Sequence, residues 1–451
     1  MKSLRNFLDI LKKEAPEEII HVKKEILPMY ETTAILTKLE QQNRFPVLIF
    51  DNVKGWDIPV VINVNSSRKR LALALDVTEE KLVEKYRIGE ENLISPKLVN
   101  SGPVKEVISK GNEVDLTKFP PIITHHEGDG GPYITSGIVV AKDPETGVRN
   151  ASYGRLMLIS KNELRTHLVP TRHLWECQRK AEEKGRPLEI AIFMGAHPAW
   201  AIGSLSIAPF ETDEYGVIGG IMGEPLEIVN CETVDLEVPA TAEIVLEGEI
   251  LPNIRELEGP FGEFTGHSTG ALKRHVVKIK AITHRENPIY QDIGHIEHRL
   301  LGAVPREAYL YKAIKGVMPS VKAVHMPISG CCRFHCYISI SKKAEGQAKN
   351  VIFAALGTDP YLKHVVVVDD DVDVYNETEV LWAISTRVQA DEDVFIVTGG
   401  RGSDLDPSAK AQGIVTKVGI DATRTLLRPF PSRLKIPETV MNKMKLEDYL
   451  G

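Results

Sequence analysis

Three short stretches of this 451-residue chain set chemically able side chains beside glycine or proline. In Glu258-Gly259-Pro260-Phe261-Gly262-Glu263 two carboxylates flank a turn that would break both helix and strand. A turn of that kind can aim both acids into one cavity, where crowding raises one pKa and readies that acid as a proton donor. An exposed acidic loop would carry the same residues. In Asn150-Ala151-Ser152-Tyr153-Gly154-Arg155 the Asn carbonyl oxygen can ligate a hard cation. The Arg five positions on can grip a carboxylate or phosphate with two parallel hydrogen bonds. A turn asparagine and a surface arginine would read the same way. Arg172-His173 falls at a predicted helix start, where imidazole is a common metal ligand and a helix N-terminus favours anions. A lone helical His is more often structural. A softer stretch runs from Gly203-Ser204-Leu205-Ser206 to Asp213-Glu214-Tyr215-Gly216 and offers Glu214 as a hard-metal ligand or as an ordinary N-terminal helix carboxylate.

The elements that must position these groups fall into three blocks. Residues 1–110 mix helix and strand patterns: Leu4, Phe7, Leu8 and Leu11 at helical spacing, a second helix over 33–42, strands over 47–50 and 59–63, and a capped helix near 78–86. That is an N-terminal α/β domain. Composition then turns to Gly, Pro and His around 102–131, a boundary signal. From Tyr133 to about Arg285 strands dominate, at 134–141, 156–160, 164–169, 189–193, 242–246 and 276–283, with one helix over 173–183. A central β-barrel over 111–305 is expected. After Arg306, helices at 307–315, 344–356 and 377–388 alternate with strands at 321–325, 335–340 and 364–368, giving a C-terminal α/β domain over 306–451.

Bulk composition excludes several classes. The balance of 55 basic and 62 acidic residues gives a net charge of −7, with no basic stripe of the kind a nucleic-acid binder shows. Charges at Arg5, Asp9, Lys12 and Lys13 break any signal-peptide core, and no stretch nears the length of a membrane span. Five sparse cysteines point to a reducing compartment, so the cytoplasm is expected. Cys331-Cys332-Arg333-Phe334-His335-Cys336 lacks the paired spacing of a zinc site, and the reading preferred is strand packing with Cys332, Phe334 and Cys336 on one face. Asp369-Asp370-Asp371-Val372-Asp373 fails as a calcium loop, because its sixth position is Val374 and its twelfth is Val380. Gly128-Asp129-Gly130-Gly131 lacks dinucleotide-loop spacing.

Together these stretches resemble the UbiD family of prenylated-FMN-dependent decarboxylases. The likeness rests on Glu258–Glu263, Asn150 with Arg155, Arg172-His173, the run from Asp213 to Val229, Val365–Arg387, Leu405-Asp406-Pro407 and Lys417–Thr423, in family order along nearly the whole chain. The resemblance implies a split-barrel flavin-binding centre. It implies that Asn150, His173 and Glu214 hold a manganese or magnesium ion bridging to the cofactor phosphate, with a potassium ion near Ser204. Tyr153, Gly154, Arg155 and Arg172 would line the cofactor, and Lys417 would approach its phosphate. Arg155, Glu258 and Glu263 would form the catalytic network, with Glu263 the proton donor. A flavin prenyltransferase would supply the cofactor, and the C-terminal domain would build a homodimer or larger assembly.

The region of His298, Arg306 and Arg333 is unusually cationic for a stretch expected near a substrate pocket. A desolvated second carboxylate needs such partners. These residues could equally lie on the surface or at a subunit contact. The stretch resembles the furan-2,5-dicarboxylate decarboxylase branch, which implies conversion of furan-2,5-dicarboxylate to 2-furoate. A decarboxylase of phenolic or other aromatic monoacids, a non-catalytic flavin-binding protein and a simple FMN reductase are the rivals.

Overall fold

The computed structural model describes residues 2–170 and 172–450. The first helix, Leu4–Glu14, starts where the Ser3 side chain accepts the Asn6 amide, and it buries Leu4, Phe7, Leu8 and Leu11. These side chains pack on Val47 and Val61 of the first sheet and on Val64 just after it. Truncating Phe7 in such a packed face would cost about 3–5 kcal/mol. That sheet runs Ile19–Val22, Val47–Phe50, Val60–Ile62 and then Tyr290–Gln291, so its last strand arrives from far along the chain. The expected 78–86 helix divides into a 3-10 turn, Glu79–Lys81, and an α-helix, Leu82–Glu91.

The central sheet has nine strands. Its spine is an antiparallel pair, Ile244–Glu258 and Leu272–His284, registered from Ile244 opposite His284 to Glu258 opposite Leu272. Both strands are far longer than their apolar segments announce, because their outer halves turn polar where they leave the core. The extension carries Glu258 and the turn after it away from the sheet. Strands at Val107–Lys110 and Lys97–Leu98 also pair with central strands, Leu272–His284 and Glu227–Asn230 respectively.

Among the described residues the strands close into no barrel, so the expected central split barrel is not borne out. The ladder is open between Tyr133–Ile134 at one end and Arg149–Tyr153 at the other. The apolar run 134–141, read as one strand, splits at Thr135–Gly137. There the Ser136 hydroxyl donates to the Gln291 carbonyl and Thr135 to Asp292, so polar bonding to the 290–292 segment replaces ladder pairing.

In the C-terminal domain five strands follow the order Val321–His325, His335–Ile340, His364–Asp369, Ile414–Ala422, Val394–Arg401. The middle three are parallel. The unbroken apolar run Val365–Val368 is buried throughout, as expected for a parallel strand covered on both faces. Asp369 and Asp371 accept from Arg387 at 2.8 and 3.0 Å, so this acidic run is paired with arginine. The Cys331–Cys336 stretch is not one strand. Cys331 and Cys332 sit in a turn at φ 56° and 51°, and the strand begins only at His335. All five cysteines are free. Among the described residues no helix is long and apolar enough to cross a membrane.

Candidate active site

A cavity of about 560 Å³ opens where the three parts of the chain meet. Its wall includes Asn150, Tyr153, Gly154, Arg155, Arg172, His173, Ser204, Glu214, Glu263, His298, Arg306 and Arg333. Glu258 stands directly behind it, bonded to Arg155. Lys417 is the exception among the residues singled out from the sequence. It lies off the wall, and its ammonium donates to the Pro360 carbonyl at 3.0 Å, because its strand is central to the C-terminal sheet and faces that domain's own core.

The Arg155 guanidinium is held from two sides. One nitrogen donates to Glu258 Oε2 at 2.9 Å and the other to Glu263 Oε1. Glu258 is fully buried, and its second oxygen accepts the Tyr133 hydroxyl at 3.1 Å. The Phe261 ring lies 5.5 Å from the guanidinium carbon and closes the face of the ion cluster. Burial pushes the Glu263 carboxyl above the usual range; Arg155 opposes that shift and Glu258 adds to it. Burial beside a second carboxylate therefore makes Glu263 a better proton holder than an ordinary exposed glutamate.

The turn that presents these acids is braced by Gly128–Gly131, the segment with no dinucleotide spacing. Gly130 donates to the Pro260 carbonyl at 2.8 Å, and Asp129 accepts the Gly262 amide at 3.1 Å. A Cβ on Gly130 would meet the Gly259 carbonyl oxygen at 2.4 Å, so only glycine allows this approach.

Across the cavity, Asn150, His173 and Glu214 converge. Glu214 opens the helix Glu214–Met222, whose cap Asp213 accepts the Tyr215 amide at 2.9 Å. Its Oε1 meets Asn150 Nδ2 at 2.9 Å and His173 Nδ1 at 3.2 Å, and its Oε2 accepts the Ala151 amide at 3.1 Å. His173 opens the helix His173–Glu183. The Ser204 hydroxyl is buried beside this trio's cavity with no partner among the described residues. Asn150 turns its amide nitrogen to Glu214 while its Oδ1 accepts the Ser152 hydroxyl at 3.4 Å. An amide, an imidazole and a carboxylate gathered in this way, with a spare hydroxyl on the same wall, are donor types that fit a hard divalent ion and a phosphate.

Sequence reading missed a second layer. His125 is buried on the cavity wall, with Nε2 2.8 Å from Asp292 Oδ2. Burial alone would lower its pKa, but Asp292 raises it above the usual histidine range. Tyr133, His167, Phe264, His295 and Tyr361 also surround the site. The one signal of this layer in the sequence is the His125-His126 pair, which enters the glycine-rich boundary segment.

At the remaining part of the wall, Arg333 stacks over the Phe264 ring at 5.2 Å, and Phe264 follows Glu263 directly. Arg333 donates to the carbonyls of Arg299 and Cys332, both at 3.1 Å, with no carboxylate at salt-bridge distance among the described residues. Gly302 makes room for it: a Cβ there would lie 2.2 Å from the guanidinium nitrogens. Burial, then Arg306, lowers Arg333 to about 10, and burial, then Arg333, lowers His298 to about 3.

Profiles of three consecutive domains match the chain. They are the N-terminal domain of 3-octaprenyl-4-hydroxybenzoate carboxy-lyase at residues 10–87, its Rift-related domain at 97–296 and its C-terminal domain at 299–422. The chain belongs to the UbiD family. Two solved structures of the UbiD-class enzyme HmfF from Pelotomaculum thermopropionicum are similar. The complex with FMN is 44% identical with a TM-score of 0.94, covering 99% of this chain and 100% of that one. An evolved dimeric form with prFMN is 42% identical with a TM-score of 0.91, covering 100% of both. Among curated relatives, an anhydromevalonate phosphate decarboxylase of Methanothermobacter thermautotrophicus is 41% identical over 94% of this chain and 97% of its own length. A phenolic acid decarboxylase of Sedimentibacter hydroxybenzoicus is 35% identical over 96% and 93%. This UbiD-family chain is a decarboxylase.

Proposed function

We propose that this decarboxylase uses prenylated FMN and a divalent metal to remove carbon dioxide from a heteroaromatic dicarboxylic acid, with furan-2,5-dicarboxylate to 2-furoate the leading case. One observation carries the reading: a single cavity is lined both by Arg155 and Glu263, with Glu258 directly behind them, and by a buried guanidinium, Arg333, without a carboxylate partner among the described residues. A reacting acid with one carboxylate needs only the first; a second carboxylate gives the other a use. The FMN and prFMN complexes of HmfF support the cofactor.

Asn150, His173 and Glu214 would hold manganese or magnesium against the cofactor phosphate, with Arg172 nearby and potassium at Ser204. Tyr153, Gly154 and Arg155 would flank the flavin. Prenylated FMN, when bound, supplies the sink for the electron pair that departing carbon dioxide leaves behind. The chain's own residues do the rest. Tyr133 and Glu258 fix Arg155, and Arg155 orients the reacting carboxylate. Glu263, whose carboxyl burial raises above the usual range, would deliver its proton to the carbon that lost carbon dioxide. The apolar rings of Phe261 and Phe264 limit water at that carbon. Arg333, Arg306 and His298 would hold the distal carboxylate.

A flavin prenyltransferase would supply the cofactor in the cytoplasm. Assembly into at least a dimer through the C-terminal domain is favoured by strongly exposed apolar side chains there, Leu427 at 85% and Leu434 at 97%. Holo-protein given furan-2,5-dicarboxylate, 2-furoate and phenolic monoacids, with carbon dioxide exchange followed, tests the reading. Turnover of phenolic monoacids alone would replace it with the monoacid one.

A further inference from the structure

Arg306 and Arg333 both reach the cavity wall, but their charges are handled differently. Arg306 pairs with Asp359 and lies 4.5 Å over the Tyr361 ring. Asp359 follows the helix Gln347–Thr358, is 2% exposed and sits off the wall, behind Arg306. Its second oxygen accepts the Tyr361 amide at 2.9 Å, so both oxygens are engaged within its own domain. Arg333 has only carbonyl partners. With His298 neutral, the two guanidiniums and Asp359 leave this part of the site one net positive charge. Lys417, bonded to Pro360, remains outside the wall.

A charge taken out of water is tolerated when it is matched, and excess of either sign is costly. A carboxylate brings one negative charge, whereas a phosphate monoester brings about 1.5 to 2 at pH 7. We infer that Asp359 is a specificity-determining residue that neutralises Arg306 and so sets the distal site to accept a carboxylate and discriminate against a phosphate monoester. Asp359 is a positioning residue: it touches no ligand and acts through Arg306. The inference rests on the dicarboxylate reading and deepens it by assigning the anion class to a named charge balance.

The test uses flavin-loaded protein and three inert probes, benzoate, isophthalate and 3-carboxyphenyl phosphate, titrated by calorimetry. Wild type is expected to bind isophthalate at least tenfold more tightly than either other probe. D359N raises the net charge by one and shifts the phosphate-to-dicarboxylate affinity ratio at least tenfold toward phosphate. D359E restores the wild-type order. The double variant R306Q/D359N returns the net charge to one and restores the preference for dicarboxylate over phosphate, at lower affinity for both because Arg306 is lost, which keeps the idea testable should D359N fold poorly. Equal weakening of all probes by D359N, or a double variant that behaves like D359N, would reduce Asp359 to a structural brace and overturn the inference. Wild-type turnover of furan-2,5-dicarboxylate judges the underlying reading separately, because binding order does not depend on catalysis.

Discussion

Two buried arginines face the same cavity in opposite conditions. Arg155 is saturated in charge, with carboxylates on both sides and a tyrosine fixing one of them, although its buried Nε has no hydrogen-bond partner among the described residues. Arg333 is braced by carbonyls and the Phe264 ring, with no carboxylate partner among the described residues. A saturated cation is locked in place and serves geometry and proton holding; an unsaturated one keeps attraction in reserve for a ligand. On the proposed function, catalysis and recognition would be separated by how fully each guanidinium is neutralised.

The sharpest way to break this contrast is at Glu263. Glu263→Gln should lower carbon dioxide release by about 10²- to 10⁴-fold while flavin absorbance shows the cofactor still bound. Because burial raises this pKa, wild-type kcat should fall as pH rises through it; a flat profile would remove Glu263 as donor. Arg333→Gln comes next. Losing a charge-assisted contact of about 1.5–3 kcal/mol should raise KM for the dicarboxylate roughly 10- to 100-fold and leave monoacid KM nearly unchanged. Equal losses for both acids would mean Arg333 is merely structural. Tyr133→Phe removes one neutral-to-charged hydrogen bond behind Arg155 and should cut kcat about fivefold, read in steady-state assays with the fold intact.

The smallest effect lies behind the second arginine's neighbourhood, at Glu297. Its Oε1 accepts from the Asn65 amide and side chain at 2.9 and 2.8 Å, while Oε2 is buried without a partner. Burial pushes this carboxyl up to about 7. A raised native pKa favours the fold most fully below the unfolded value, and that contribution is lost as pH rises through about 7. Glu297→Gln should therefore gain a few degrees of melting temperature relative to wild type between pH 5 and 8, and parallel melting curves would refute the shift.

Much of the site was legible because the turn at 258–263 and the Asn150–Arg155 stretch combine residue types that packing alone seldom needs. The helix at 173–183 was placed residue for residue, since its apolar face and its start are local signals. What stayed hidden was set by distant partners. The open ends of the central sheet follow from Thr135 and Ser136 bonding to 291–292, which no periodicity reveals. The family resemblance alone implied that Lys417 approaches the cofactor phosphate, yet its strand is interior to another domain's sheet. Asp359 and Asp292 gave no signal, being single acids whose meaning comes entirely from the cations they meet.

The return of the chain at Tyr290–Gln291 to finish the first sheet has a practical result. Exchanging the leading hundred-odd residues between homologues would leave a foreign edge against that returning strand. Asp292 and the helix His295–Leu301, which carries His298, follow it at once, so the mismatch would surface as altered substrate choice before it surfaced as misfolding. Chimeras meant to retune selectivity should therefore cross over after Leu301, taking the borrowed edge and its docking strand together.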